Sequence, residues 1–281
     1  MQALDRLNDW PVPNASGAVV VLGPSGAPSV HTAGDQHRSY LLASLAKTIT
    51  SWAILVAIEE GVVSLDTPVG QPGCTMRHLL SHSGGYAFDG AAPISSPGRR
   101  RIYSNTGIEI AAEAVAAASG IPFETYLSEA VLQPLGMSSS ELRGSPAHQM
   151  WSTVDDLVRF LLEAIRPTLI TADMAHAATH AVFPELAGLV PGVGRYAHCS
   201  WGLGFEIKGD KVPHWTGTRN SPNTFGHFGG AGTFMWVDLG AAHEQAIACI
   251  ALTDRRFSSW ATEALVLWPA FSDAVLAEAF G

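Results

Sequence analysis

Cysteine is scarce: Cys74, Cys199 and Cys249 are odd in number, widely spaced and in no C-x-x-C pair. That argues against a disulfide framework and a cysteine-based zinc site. Charge is sparse too, with Asp, Glu, Lys and Arg at 15% of residues, a formal balance of −9 and no basic run longer than Arg99-Arg100-Arg101. Nucleic acid and acidic membranes are therefore excluded as expected partners, and the arginine triplet reads as a solvated loop. No apolar stretch approaches membrane-spanning length. Met1 to Pro13 carries Asp5, Arg6, Asp9 and two prolines where a secretory signal would have its apolar core, so the reading is cytoplasmic. A G-x-S-x-G elbow is missing, because Ser25 and Ser83 each lack one of the two glycines; this argues against an α/β-hydrolase. His78 and His82 have the i, i+4 spacing of a zinc pair, but no Glu follows His78 and no third ligand is evident. They read as structural histidines, and no metal or cofactor is expected.

Apolar residues, by contrast, reach 47% of the 281 positions, enough for a large core in one or two domains. Ala18 to Leu22 and Ser29 to Ala33 flank Gly23-Pro24-Ser25-Gly26 and read as a hairpin. A buried helix follows Ser44, through the apolar run Trp52 to Ile58 to Glu59-Glu60-Gly61. Further helices are predicted from Thr75 to Leu80, from Gly107 to Ala118 with Gly120 as stop, from Pro122 to about Leu132, and from the Thr153/Asp156 capping box to about Ile165. Beyond Tyr196 the pattern turns to short strands: Trp201 to Ile207, Lys211 to Trp215, Thr233 to Asp238 and Gln245 to Thr253. A last helix from about Ser258 to Phe280 contains Pro269, a predicted kink. The Ala-, Pro- and Gly-rich stretch from Thr168 to Gly194 fits a surface region or lid. Strands at both ends with helices between predict an antiparallel sheet flanked by helices, an α/β (α+β) fold: residues 1–68 and 196–281 as the α/β domain, 69–195 as a mainly helical insert.

Three motifs carry chemistry. In Ser44-Leu45-Ala46-Lys47, the i, i+3 spacing places serine and lysine on one helix face. A serine hydroxyl is a poor nucleophile until a neighbouring base takes its proton, and a desolvated lysine is such a base. Tyr103-Ser104-Asn105 follows a Gly/Pro/Arg-rich loop. A tyrosine near a cation can shuttle protons, and an asparagine offers a donor and an acceptor; the competing reading packs Tyr103 on the core and makes Asn105 a helix cap. Gly226-His227-Phe228-Gly229-Gly230-Ala231-Gly232 precedes the Thr233 strand. So many glycines beside a strand suit the close approach of another backbone or a ligand, and free N–H groups there suit an oxyanion hole; the alternative is an ordinary glycine-rich turn. Trp151, Trp201, Trp215 and Trp236 are left to core or pocket.

Ser-x-x-Lys, Tyr-x-Asn and His-x-Gly in this order resemble the serine β-lactamase and penicillin-binding protein superfamily, nearest its class C β-lactamase-related serine hydrolases, including the family VIII esterase type. Supporting segments are Leu65-Asp66-Thr67-Pro68-Val69, Arg77 to Gly85, Gln133-Pro134-Leu135-Gly136-Met137, Ser152 to Phe160 and Trp201-Gly202-Leu203-Gly204, so the resemblance covers roughly residues 17–253. It implies a β-lactamase-like fold, Ser44 as acylated nucleophile, Lys47 as proton acceptor and Tyr103 as proton exchanger. Asn105, His227 and Gly229 would line the substrate site, and the N–H groups of Ser44 and Gly230 would form the oxyanion hole. Whether Lys47 or Tyr103 is the formal base stays open, since coupled groups titrate as a unit. Many relatives carry Lys-Thr-Gly where this chain has His227-Phe228-Gly229. A mostly neutral histidine and a phenylalanine favour uncharged, apolar acyl substrates. The leading expectation is a carboxylesterase for small or medium acyl esters. A D-amino-acid peptidase, a weak β-lactamase or a transacylase are the alternatives on the same machinery, and a catalytically silent binding protein is the remote one. The partner expected is a small-molecule ester or amide.

Overall fold

The computed structural model describes residues 1–23, 26–239 and 245–280. Its strands are β1 (Ala15–Leu22), β2 (Ser29–Ala33), β3 (Tyr40–Leu41), β4 (Glu141–Leu142), β5 (Met150–Ser152), β6 (Gly188–Val190), β7 (Gly194–Tyr196), β8 (Glu206–Ile207), β9 (Phe225–Gly229), β10 (Thr233–Asp238) and β11 (Ala246–Thr253). The helices are α1 (Ala46–Glu59), α2 (Met76–Leu80), α3 (Asn105–Ser119), α4 (Phe123–Leu127), α5 (Val154–Ile165), α6 (Ala172–Thr179) and α7 (Ala261–Phe280). Six strands form one antiparallel sheet in the order β2-β1-β11-β10-β9-β8. It joins the two ends of the chain, with Ala15 opposite Thr253 and Leu22 opposite Ala246. The central turn of the β1–β2 hairpin, Pro24-Ser25, lies outside the described residues.

Both faces of the sheet are covered, and the side chains divide with a period of two. Ala248, Ile250 and Leu252 of β11 join one apolar core with α1, α3 and α5, whereas Ile247, Cys249 and Ala251 join the other with α7. Burial on both sides is why β11 reads as a continuous apolar run instead of an alternating one. Likewise α1 is apolar on every side because it runs through the first core, where residues 46–57 are all buried. On the opposite face α7 packs with the N-terminal 3₁₀ turn, and Glu278 accepts the Gln2 and Ala3 N–H groups at 2.8 Å each. All three cysteines are buried free thiols.

Several expectations change. The Lys211 to Trp215 stretch is not a strand, because Lys211 and His214 turn inward to pair with buried Glu206 at 3.3 and 3.2 Å. Only Glu206–Ile207 remains of the longer predicted strand, since Gly204 adopts φ +94° and turns the chain. The expected helix from Pro122 forms as α4 and passes into a π-helical turn over Ser128–Leu132, and α7 runs unbroken past Pro269. Arg101 does not belong to a solvated loop: it is 2% exposed and donates to the carbonyls of Ser81, Val182, Phe183 and Cys199. The stretch read as a lid contains α6 and the β6–β7 hairpin, with Ile170, Ala175, Ala178 and Val190 buried. Among the described residues, no helix is long and apolar enough to cross a membrane.

Candidate active site

Ser44 lies in a single 3₁₀ turn, Ala43–Leu45, that feeds directly into α1. The residue before it, Ala43, has φ +48°, a left-handed conformation uncommon for alanine. Lys47, one turn on, is fully buried, and its Nζ lies 3.2 Å from Ser44 Oγ. Two further oxygens surround the amine: Asn105 Oδ1 at 2.6 Å and the Ala147 carbonyl at 2.8 Å. Asn105 is held in that orientation because its Nδ2 donates to Asp89 Oδ1 at 3.0 Å. Burial lowers the Lys47 pKa to about 7, against the opposing pull of Glu109 and Asp89. The consequence is geometric. An ammonium can donate to all three oxygens; once it loses a proton, the amide and carbonyl oxygens hold its two remaining hydrogens, since they can only accept. The lone pair then faces Ser44.

Tyr103 and Asn105 reach this point from a clamped segment. Ile102 N–H donates to the His82 carbonyl, Asn105 N–H to the Phe88 carbonyl (both 2.8 Å), and Ser104 Oγ to the Ala87 carbonyl at 2.6 Å. The helix cap expected of Asn105 falls to Ser104, whose Oγ accepts the Gly107 N–H. Tyr103 interacts with Ser44 through its hydroxyl and with His227 Nε2 at 3.3 Å, while the Lys47 ammonium sits 4.8 Å from its ring centroid. The expected phenolate is not favoured: burial outweighs the hydrogen bond to Ser44 and raises the Tyr103 pKa.

His227 is buried, and its Nδ1 donates to the Phe228 carbonyl at 2.6 Å. That partner can only accept, so the proton is on Nδ1 and Nε2 carries the lone pair that receives the Tyr103 hydroxyl. Burial, then the Lys47 charge, lowers the His227 pKa to about 3, so the ring is neutral at neutral pH. Gly229 explains the glycine-rich stretch: a Cβ there would lie 2.2 Å from the Leu42 carbonyl oxygen. Thr233 Oγ1 donates to that same carbonyl at 2.9 Å, which fastens β9 and β10 to the turn before Ser44. Gly230 and Ser44 thereby line one cavity of about 430 Å³ with Tyr103, His227, Trp201 and Glu206.

Some participants have no signature in the sequence. Asp89 and the Ala147 carbonyl bear on the lysine from loops, and Glu206 reaches the cavity wall as a buried carboxylate. Burial opposes its ionisation, yet Lys211, His214 and Trp215 bring the Glu206 pKa down to about 2. The two spaced histidines do separate work: His78 Nδ1 accepts the Thr75 N–H at the start of α2, and His82 packs 4.6 Å from Tyr103 and 4.7 Å from Trp201, centroid to centroid. Trp215 and Trp236 belong to the core behind the sheet.

An antiparallel sheet flanked by helices, with a serine and a buried lysine one turn apart where a helical layer meets strand β9, defines a β-lactamase-fold serine hydrolase. The chain belongs to the Beta-lactamase family, whose model matches residues 13–265. It is 49% identical to a beta-lactamase (Mb2281c) from Mycobacterium bovis over 99% of both chains, with a TM-score of 0.91. The D-alanyl-D-alanine-carboxypeptidase/endopeptidase AmpH of Escherichia coli (strain K12) is 27% identical over 142 residues, 37% of either chain, so the match spans little more than a third of that relative. D-amino acid amidase from Ochrobactrum anthropi SV3 shares the fold, with a TM-score of 0.73 at 16% identity over 99% and 98% of the two chains.

Proposed function

We propose that the protein hydrolyses carboxylic esters of small or medium acyl chains through a covalent acyl-Ser44 intermediate, with Lys47 as the base. The observation that carries this is the Lys47 amine, buried, with a pKa of about 7 and two acceptor-only partners that leave its lone pair for Ser44. Ser44 Oγ bonds to the acyl carbon as its proton passes to Lys47, and the carbonyl oxygen becomes an oxyanion opposite the N–H groups of Ser44 and Gly230. Collapse breaks the bond to the alcohol oxygen, which takes a proton from Tyr103, and the Lys47 ammonium beside the ring then gives the tyrosine its proton back. Water then adds to the acyl carbon and gives a proton to Lys47, and the second collapse releases the acid and returns that proton to Ser44.

The third motif favours esters. His227 is neutral and Phe228 brings no hydroxyl, so that edge of the cavity offers no fixed cation to a β-lactam carboxylate. Amide chemistry is the second reading, favoured by the 49% identical beta-lactamase. Hydrolysis of p-nitrophenyl butyrate by wild type and Ser44→Ala, beside a chromogenic cephalosporin, tests both. We expect ester turnover that falls by about 10³-fold or more in the variant; retention of that turnover overturns Ser44 as nucleophile, and faster cephalosporin turnover replaces the ester reading with the amide one.

A further inference from the structure

Beside Tyr103 the cavity at Ser44 is flanked by a second, larger groove of about 750 Å³. Phe88, Tyr103 and Pro191 line both, so the two adjoin across these side chains. The groove's walls are unusual for this chain in two independent respects. Phe88, Ile94 and Leu189, three of the eight large apolar side chains left exposed on the described surface, lie along it at 49%, 56% and 42% exposure. Apolar residues gathered this way on a surface mark a binding site more often than scattered ones do. Two arginines, Arg100 and Arg195, also line it, although the chain carries a formal charge of −9. Among the described residues, neither guanidinium makes a hydrogen bond or ion pair, unlike those of Arg38, Arg77 and Arg143, which are paired with carboxylates.

The groove is built from anchored parts. Leu189 and Arg195 are cross-strand partners in the β6–β7 hairpin, and that hairpin is tied to the Tyr103 segment where Arg101 N–H donates to the Ala187 carbonyl at 2.8 Å. At Gly188 a Cβ would lie 2.5 Å from Arg101 Cβ, so the two segments meet backbone to backbone. Buried Arg101 locks the junction from beneath through its carbonyl contacts.

We infer that this groove receives the alcohol portion of the substrate and selects an alcohol that is apolar along its length and ends in an oxyanion. The inference rests on the ester-hydrolase reading above. Tyr103, which protonates the departing alcohol there, lines both cavities, so the group leaving it lies on the groove side. Phe88, Ile94 and Leu189 supply the apolar path, and Arg100 and Arg195 supply the charge, arginine being suited to two-point contact with carboxylate or phosphate.

The test uses butyrate esters of ω-hydroxy carboxylic acids with six to twelve carbons, their methyl esters, and a phosphate-ended ester of the best length, with butyrate release as readout. At the best length we expect kcat/KM for the carboxylate to exceed that of its methyl ester about tenfold. Arg100→Gln/Arg195→Gln should abolish the preference by lowering kcat/KM of the carboxylate ester to that of its methyl ester, and 0.5 M salt should shrink it. The faster of the carboxylate and phosphate esters identifies the preferred anion. Equal rates for charged and uncharged esters, or a preference that survives in the double variant, overturn the inference. Calorimetry of dodecanoate against dodecanol on Ser44→Ala separates the two levels of argument. Arginine-dependent binding of dodecanoate upholds the groove even where ester turnover fails, and absence of dodecanoate binding counts against the groove even where turnover succeeds.

Discussion

Lys47 governs the pH behaviour expected of the site. Its pKa is lowered to about 7, chiefly by burial, and in the proposed reaction the neutral amine is the form that accepts the Ser44 proton. Acylation should therefore rise with pH through about 7 and then level off. His227, at about 3, adds no step near neutrality, and Tyr103 is raised, which moves it away from that range. A kcat/KM profile for p-nitrophenyl butyrate falling as pH rises from 6 to 8 would refute Lys47 as the base. Asp89 holds Asn105 and raises the Lys47 pKa, so Asp89→Asn should move the ascending limb to lower pH; an unmoved limb would show that this carboxylate does not act on the lysine. Substitution by arginine at position 47 should abolish acylation, because a guanidinium stays protonated.

At the level of elements, the site depends on how closely β9 approaches the turn before α1. Gly229 permits it, and Thr233 bonds to the same Leu42 carbonyl that a Gly229 Cβ would strike. Gly229→Ala should force the strand and the turn apart, at a cost of about 1–3 kcal/mol in stability, and should displace Gly230 from Ser44. We expect ester turnover to fall more than a thermal or urea melt alone would explain, with the folded variant still soluble. Wild-type turnover in that variant would detach the oxyanion role from this approach. Glycine spacing in the sequence pointed to a close contact here, but the partner, a carbonyl 187 positions earlier, was not readable from it.

Across the whole molecule, the buried Glu206–Lys211 pair links the cavity wall to the outer sheet edge. Lys211 Nζ lies 3.3 Å from Glu206 Oε1 and donates to the Ser200 carbonyl at 3.0 Å. Removing one member strands the other's charge in the interior, which typically costs about 3–5 kcal/mol. Lys211→Met should therefore lower the urea midpoint strongly, and Lys211→Met combined with Glu206→Gln should recover part of the loss. A double variant less stable than the single one would mean that the pair's worth is not mainly charge compensation.

Much of this was legible in the sequence because it rests on local patterns. The i, i+3 step from Ser44 to Lys47, the apolar run of α1, the capping signal at Thr153 and the strands β10 and β11 are written in neighbouring residues, and each stands where its spacing placed it. The tertiary structure decided what depends on distant chain segments meeting. It brought Asn105 and Ala147, 58 and 100 positions from Lys47, onto one amine. It also buried Tyr103 so that desolvation, not the nearby cation, sets its proton affinity, and turned Lys211 and His214 inward to Glu206 where a strand was expected. Sequence fixes which groups are available and their short-range geometry. The strength of those groups as acids and bases follows from desolvation and electrostatics, which exist only once the chain has closed around them.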